Sequence, residues 1–176
     1  MTVSLVDYRF WNGNLAEAAQ MFDCEVPEIN EYFIEKADGK VEGERLILIA
    51  DNKQVFGFIS LSIDTIKITS IEKITYPILK INAIGIDRRH QCSGYGTQLI
   101  LAGFRLALNV NQIIPIDGIY LVALRDAVEF YEKFDIRNLN APPEWVMTQQ
   151  EFQMAINIAE IVSLGVEPYS NVEHLI

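Results

Sequence analysis

The sequence predicts one α/β domain (α+β by some schemes), and three observations carry that reading. β-Rich runs alternate with segments of helical periodicity along the chain. At 176 residues the chain is the size of one domain, long enough to bury a core without a disulfide or metal staple. Near the middle, a strand runs through a glycine-containing loop directly into an apolar helix, a join that can hold an anion.

The elements follow in order. Val3–Trp11 is expected as a first strand, and Asn14–Phe22 as a helix, with Leu15, Ala18, Ala19 and Phe22 at helical spacing. Pro27 opens a second helix with Glu28 and Glu31 near its positive end and a stripe of Ile29, Tyr32, Phe33 and Ala37. Gly39 and Gly43 mark a loop. Arg45–Ala50 and Val55–Ile63 form a hairpin around Asp51-Asn52-Lys53-Gln54, and Tyr76–Ile86 is the next strand. Gly96–Val110 is a helix, Gly118–Leu124 a short apolar strand, and Asp126–Phe134 a helix with Asp126 as N-cap and Glu129 at the third position. Asn140–Trp145 is irregular. In Met147–Leu164, Phe152, Met154, Ile156 and Ile158 alternate with smaller or polar residues, so a strand followed by a short helix is preferred to one long helix. Residues 1–176 are one domain, with 165–176 an unplaced tail.

Composition removes several classes. Half of the residues are apolar and 22% charged, which excludes a disordered chain. No uncharged apolar run approaches about 18 residues, and the N-terminus has no basic segment followed by an apolar stretch. A soluble cytoplasmic protein is expected, with Cys24 and Cys92 as free thiols. His90 and His174 have no ligand-like neighbours, so no metal is expected. Trp11 and Trp145 read as packing residues.

The net charge is −10, which argues against a DNA-binding protein. It is uneven. Residues 65–110 hold Lys67, Lys73, Lys80, Arg88, Arg89 and Arg105 against two acids, whereas the segments on either side each carry −7. One basic island in an acidic protein suggests a single anionic ligand.

The loop explains the island. Strand residues Leu79–Ile86 lead into Asp87-Arg88-Arg89-His90, then Gln91-Cys92-Ser93-Gly94-Tyr95-Gly96-Thr97 at a helix start. Open backbone N–H groups and the helix dipole favour an anion there, and Gly94 and Gly96 permit close approach. No G-x-x-x-x-G-K-[ST] loop and no G-x-G-x-x-G fingerprint is present. Alone, the loop is equally well a simple strand-to-helix turn.

Gln91, Gly94 and Gly96 after Ile86-Asp87-Arg88-Arg89 resemble the [QR]-x-x-G-x-[GA] loop of the GNAT superfamily of N-acetyltransferases. Gly118–Leu124 followed by Phe130-Tyr131-Glu132-Lys133 is similar to that family's fifth strand and F-Y-E-K-x-G-F helix, in the same order. Met21-Phe22-Asp23-Cys24, Ile29, Tyr32, Phe33 and Val55–Leu61 resemble the branch containing tRNA-acetylating toxins. The resemblance covers about residues 20–137. Two places depart from it: Asp135-Ile136 stands for the usual Gly-Phe, and Cys92-Ser93 for a common Gly followed by Lys or Arg.

The resemblance implies a mixed, mostly antiparallel sheet splayed at an acetyl-CoA cleft and flanked by helices. It implies that amides of Gln91, Cys92, Ser93, Gly94, Tyr95, Gly96 and Thr97, aided by Arg88 and Arg89, hold the coenzyme pyrophosphate. Main chain at Ile84, Gly85 and Ile86 would pair with the pantetheine arm, and Tyr131 would protonate the departing thiolate. By pattern alone, Tyr131 with Phe130 and Phe134 is a core aromatic. No base is evident; Asp126 and Glu129 read better as capping residues. An α-amine, which titrates near ~7.7–8.0, needs less help than a lysine-like amine near ~10.4. Transfer to a primary amine is the leading expectation. The alternatives are a toxin-type acetyltransferase of aminoacyl-tRNA, disfavoured by the net charge, and a non-catalytic acyl-CoA-binding module. No membrane partner is expected, and a homodimer, through the C-terminal strand, is an open alternative.

Overall fold

The structure is a computed structural model that describes residues 2–67 and 75–176; Lys73 of the basic island lies outside them. A seven-stranded sheet runs in the order β1-β2-β3-β4-β5-β7-β6. The strands are β1 (Ser4–Asp7), β2 (Arg45–Ala50), β3 (Val55–Ile66), β4 (Tyr76–Ile86), β5 (Gly118–Leu124), β6 (Arg137–Asn138) and β7 (Glu151–Asn157). All neighbours are antiparallel except β4 and β5. That parallel pair requires a crossover, supplied by α3 (Tyr95–Ile113). Buried residues of α3, α4 (Val128–Glu132) and α5 (Ile158–Ser163) share one core with one sheet face. Helices α1 (Leu15–Met21) and α2 (Pro27–Ala37) cover the other. There Phe33 stacks on Phe58 at 4.4 Å, with Phe22 edge-on to both.

One irregularity in β4 keeps both faces apolar. Ser60 pairs with Ala83 but Leu61 pairs with Ile81, so Asn82 is an extra residue. A bulge reverses the alternation of side chains. Leu79 and Ile81 before it, and Ile84 and Ile86 after it, therefore all face the α3 core, while Ala83 packs on the α1–α2 side.

Several expectations are corrected. The first strand ends at Asp7, because its carboxylate accepts from the Arg9 amide and caps a 3-10 turn over Tyr8–Phe10. Asp126 is no N-cap and Glu129 forms no capping box: the chain leaves β5 through a 3-10 turn, Arg125–Ala127, and α4 starts with no side-chain cap. Ile158 is not a strand residue. Asn157 and Glu160 form a capping box that turns the chain into α5. The tail is placed: Tyr169 is buried, its backbone exchanges two bonds with Asn109 (2.8 and 2.9 Å), and Arg105 lies 3.9 Å over its ring. On its outer side β7 pairs with β6 at Met154 and Ala155, and Leu139 N and Asn140 Oδ1 continue the contact at Gln153.

Gly118 joins this sheet without room for a side chain. A Cβ there would stand 2.0 Å from the Ile156 carbonyl oxygen and 2.7 Å from Asn157 Cα. Gly118→Ala is expected to destabilise the fold by about 3 kcal/mol, measured by urea unfolding; a loss below about 1 kcal/mol would contradict the β5–β7 register.

Candidate active site

β4 and β5 pair only from Ile78–Gly118 to Ile81–Leu121. Beyond those residues they part, and the gap is a cleft of about 620 Å³. Asn82 to Ile86 form one wall; Val122 and Leu124, half-exposed on β5, face it. α4 contributes Phe130 and Tyr131, and α2 with the residues before it contributes Cys24, Val26, Glu28, Ile29 and Tyr32. The lining is mostly apolar, and Glu28 and Asp126 are its carboxylates.

The expected site residues divide. Ile84, Gly85, Ile86, Gln91, Gly96 and Tyr131 line the cleft. Arg88, Arg89, Cys92, Ser93, Gly94, Tyr95 and Thr97 do not; they form the loop and first helical turn beside it. Glu129 is turned to a separate groove on the far side of α4. Glu28 and Tyr32 were missed as cleft residues. They are four apart on α2, so they share a face, but that spacing equally describes a core stripe.

Gly94 caps α3 in the left-handed region (φ 80) and brings no side chain to the helix start. Among the described residues, no protein group accepts from the amides of Tyr95, Gly96 or Thr97. The first turn of α3 carries no acidic residue, so these donors and the dipole suit an anion. Phe130 lies over Gly96, where a Cβ would approach its ring to 3.0 Å. Gly85 lies close under α1 and α2: a Cβ there would meet Ile29, Phe58 and Phe22 side chains at 3.0–3.2 Å.

Buried Asp87 organises the loop. Its carboxylate accepts from Arg89 N, Nε and Nη2 at 2.8–3.0 Å and from Asp23 N at 3.3 Å. Burial pushes its pKa up, but the Arg89 fork and these amides outweigh it and hold the carboxyl below its ordinary value. Arg88 pairs with Asp23 at 3.4 Å. The two loop arginines thus neutralise protein carboxylates. Lys80 pairs with Asp64 at 3.6 Å, and Arg105 holds Glu167 O and the Tyr169 ring. The basic island is engaged within the protein at these four positions. Gln91 braces the loop: Nε2 reaches Ile86 O at 3.3 Å and Cys24 O at 3.5 Å. His90 packs edge-on to Phe56 at 4.4 Å. Among the described residues no three His, Cys, Asp or Glu side chains are placed to hold a metal.

Tyr131 is 6% exposed, lines the cleft, and packs against Phe130 at 5.2 Å. Burial pushes its phenol well above the usual tyrosine value, so the hydroxyl stays protonated through the neutral range. Both departures from the family pattern fall at left-handed backbone: Cys92 at φ 59 and Asp135 at φ 59. Asp tolerates that region better than Cys. The turn after α4 is therefore kept, with Ile136 fully buried behind it.

A strand-loop-helix join with open amides beside a parted β4–β5 pair, and a buried tyrosine on the following helix, is the acyltransferase arrangement that the sequence resemblance implied. Residues 13–136 match the profile of the acetyltransferase (GNAT) family, and the chain belongs to that family. No curated protein matches it in sequence. Among solved structures it is similar to a bacterial toxin (17% identity, 97% of this chain and 98% of the other, TM-score 0.77). It is also similar to a Tyr-to-Phe mutant of the AtaT toxin bound to the C-terminus of the antitoxin AtaR and acetyl-CoA (18%, 94% and 99%, 0.74). A third is AtaT complexed with acetyl-methionyl-tRNAfMet (17%, 93% and 99%, 0.71). No helix among the described residues is long and apolar enough to cross a membrane.

Two expected outcomes follow from the loop. Asp87→Asn removes the charge from buried bonds and is expected to cost about 2–3 kcal/mol at pH 7. Because the folded carboxyl titrates below its unfolded value near ~3.9, the stabilisation is full above about pH 4 and is lost as pH falls through the folded value. The gap between wild type and variant in urea unfolding should therefore close in acid. Cys92→Gly relieves left-handed strain, offset in part by unfolded-state entropy, and should raise stability by about 0.5–1 kcal/mol, read as a higher melting temperature.

Proposed function

We propose that the protein is an acetyl-CoA-dependent N-acetyltransferase that acts on a primary amine by direct attack on the thioester. The observation that carries this reading is that the β4 edge left free by β5 and buried Tyr131 share one mostly apolar cleft, with Gly96 on its wall and the open amides of the first α3 turn beside it. Amides from Gly94 to Thr97 would hold the pyrophosphate in place of its hydration shell. Main chain at Ile84–Ile86 would hold the pantetheine arm as an added strand holds a sheet edge. The apolar walls exclude water from the thioester and strengthen each polar contact made to it. The amine nitrogen attacks the carbonyl carbon, the C–N bond forms and the C–S bond breaks. Tyr131 gives its proton to the departing sulfur and regains one shed by the acylated nitrogen through solvent. Glu28 and Asp126 face the same cleft and suit an ammonium group approaching it.

A second reading, acetylation of aminoacyl-tRNA, is supported by the likeness to AtaT complexed with acetyl-methionyl-tRNAfMet. The pairing of Lys80, Arg88, Arg89 and Arg105 with groups of the protein itself weighs against it, since a tRNA backbone needs a broad free basic surface.

Acetyl-CoA binding by calorimetry, followed by thiol release across small amines, peptides and aminoacyl-tRNAs, tests both. Tyr131→Phe is expected to lower kcat by about 10²–10³-fold with acetyl-CoA affinity within about twofold. Undiminished turnover would remove Tyr131 as the acid. Turnover on charged tRNA alone would establish the second reading, and binding without turnover on any acceptor would leave a non-catalytic module.

A further inference from the structure

The turn joining α1 to α2, Asp23-Cys24-Glu25, is built as a latch. Glu25 stands in the left-handed region at φ 67. Its amide is held by Asp23 Oδ1 at 2.9 Å, which also accepts from Asn30 Nδ2 at 3.0 Å. Asn30 closes the ring, because its Oδ1 accepts from Cys24 N at 2.9 Å. Thus one side chain, from the end of the first turn of α2, holds two successive residues of the turn. These two bonds tie the turn to the helix that carries Glu28, Ile29 and Tyr32 into the cleft.

Four contacts join the turn to the coenzyme loop. Asp23 N donates to Asp87 Oδ2 at 3.3 Å, and Asp23 O accepts from Arg88 N at 2.8 Å. Cys24 O accepts from Gln91 Nε2 at 3.5 Å. Arg88 Nε completes the set on Asp23 Oδ2 at 3.4 Å. The loop therefore takes its position from a turn 64 residues away in sequence, and that turn takes its shape from Asn30. Asn30 itself does not line the cleft.

We propose that Asn30 is a positioning residue for the coenzyme. It shapes the Asp23–Glu25 turn so that Asp87, Arg88 and Gln91 hold the loop with its Gly94–Thr97 amides aligned on the pyrophosphate. The acceptor wall on α2 and the coenzyme loop then form one mechanical unit. The inference rests on the acetyl-CoA reading above. Asp23 acts in it through its acceptor oxygens; its charge matters little, because the ion pair with Arg88 is 41% and 60% exposed at the two side chains.

The test is calorimetric titration of acetyl-CoA into purified wild type, Asn30→Ala, Asp23→Ala and Asp23→Asn, with kcat and KM for each on the best acceptor. Asn30→Ala and Asp23→Ala are expected to raise Kd and KM for acetyl-CoA about tenfold, with kcat at saturation within about twofold. Asp23→Asn keeps the acceptor oxygen and should restore affinity to within about threefold of wild type. A merely structural role would lower melting temperature and active fraction without moving Kd. Folded Asn30→Ala with wild-type Kd overturns the proposal; should that variant fail to fold, equal Kd for Asp23→Ala and wild type does so. Wild type that binds no acetyl-CoA overturns the underlying functional reading, and this inference with it.

Discussion

The parting of β4 from β5 after Ile81 and Leu121 is the constraint on which the site depends. Parallel neighbours would normally continue to bond along their length; here the ladder stops and Asn82 to Ile86 keep a main-chain edge free of β5. The bulge at Asn82 makes this compatible with a packed core. It turns Ile84 and Ile86 to the α3 face, where Leu79 and Ile81 already lie. Helix α3 then starts at the mouth of the gap, and α4 closes it from the β5 side with Phe130 and Tyr131.

A second dependence is electrostatic. Two buried carboxylates, Asp7 and Asp87, each begin an Asp-x-Arg 3-10 turn and are gripped by the arginine two residues on. The arginines are half exposed, which weakens each ion pair, but the carboxylates are buried and depend on these donors. At Asp7, Arg45 is the second cation, at 2.9 Å. At Asp87, the second partner is the Asp23 amide, and this difference couples the coenzyme loop to the acceptor side. The cost is borne by Arg89, whose charge is spent on Asp87. What remains open at the start of α3 is a set of backbone amides and the helix dipole, which need no mobile side chain.

The order of strand, loop, helix, strand and F-Y-E-K helix was legible in the chain, because each depends on periodicity or glycine within a few residues. The same locality made the capping of α4 misleading. Asp126 and Glu129 have capping chemistry, but Arg125 is drawn to the carbonyls of Pro143 and Gln149, which sets the chain leaving β5. Tyr131 was legible only through the motif, since its spacing with Phe130 and Phe134 describes a core residue equally well. Structurally it is both: buried in the core and lining the cleft.

By itself the sequence determined the α/β class, most element positions and the strand-loop-helix join with Gln91, Gly94 and Gly96, because strand alternation, helical spacing and glycine placement are local. It also displayed two departures from the family pattern, without showing that Cys92 and Asp135 occupy left-handed backbone. Tertiary structure alone decided that α2 walls the cleft, that the Asp23–Cys24 turn bonds to Asp87, Arg88 and Gln91, and that Tyr169 anchors the tail. The turn-to-loop and tail contacts join residues 60 to 67 positions apart. Such pairings follow from how whole faces pack, and no pattern within a single element encodes them.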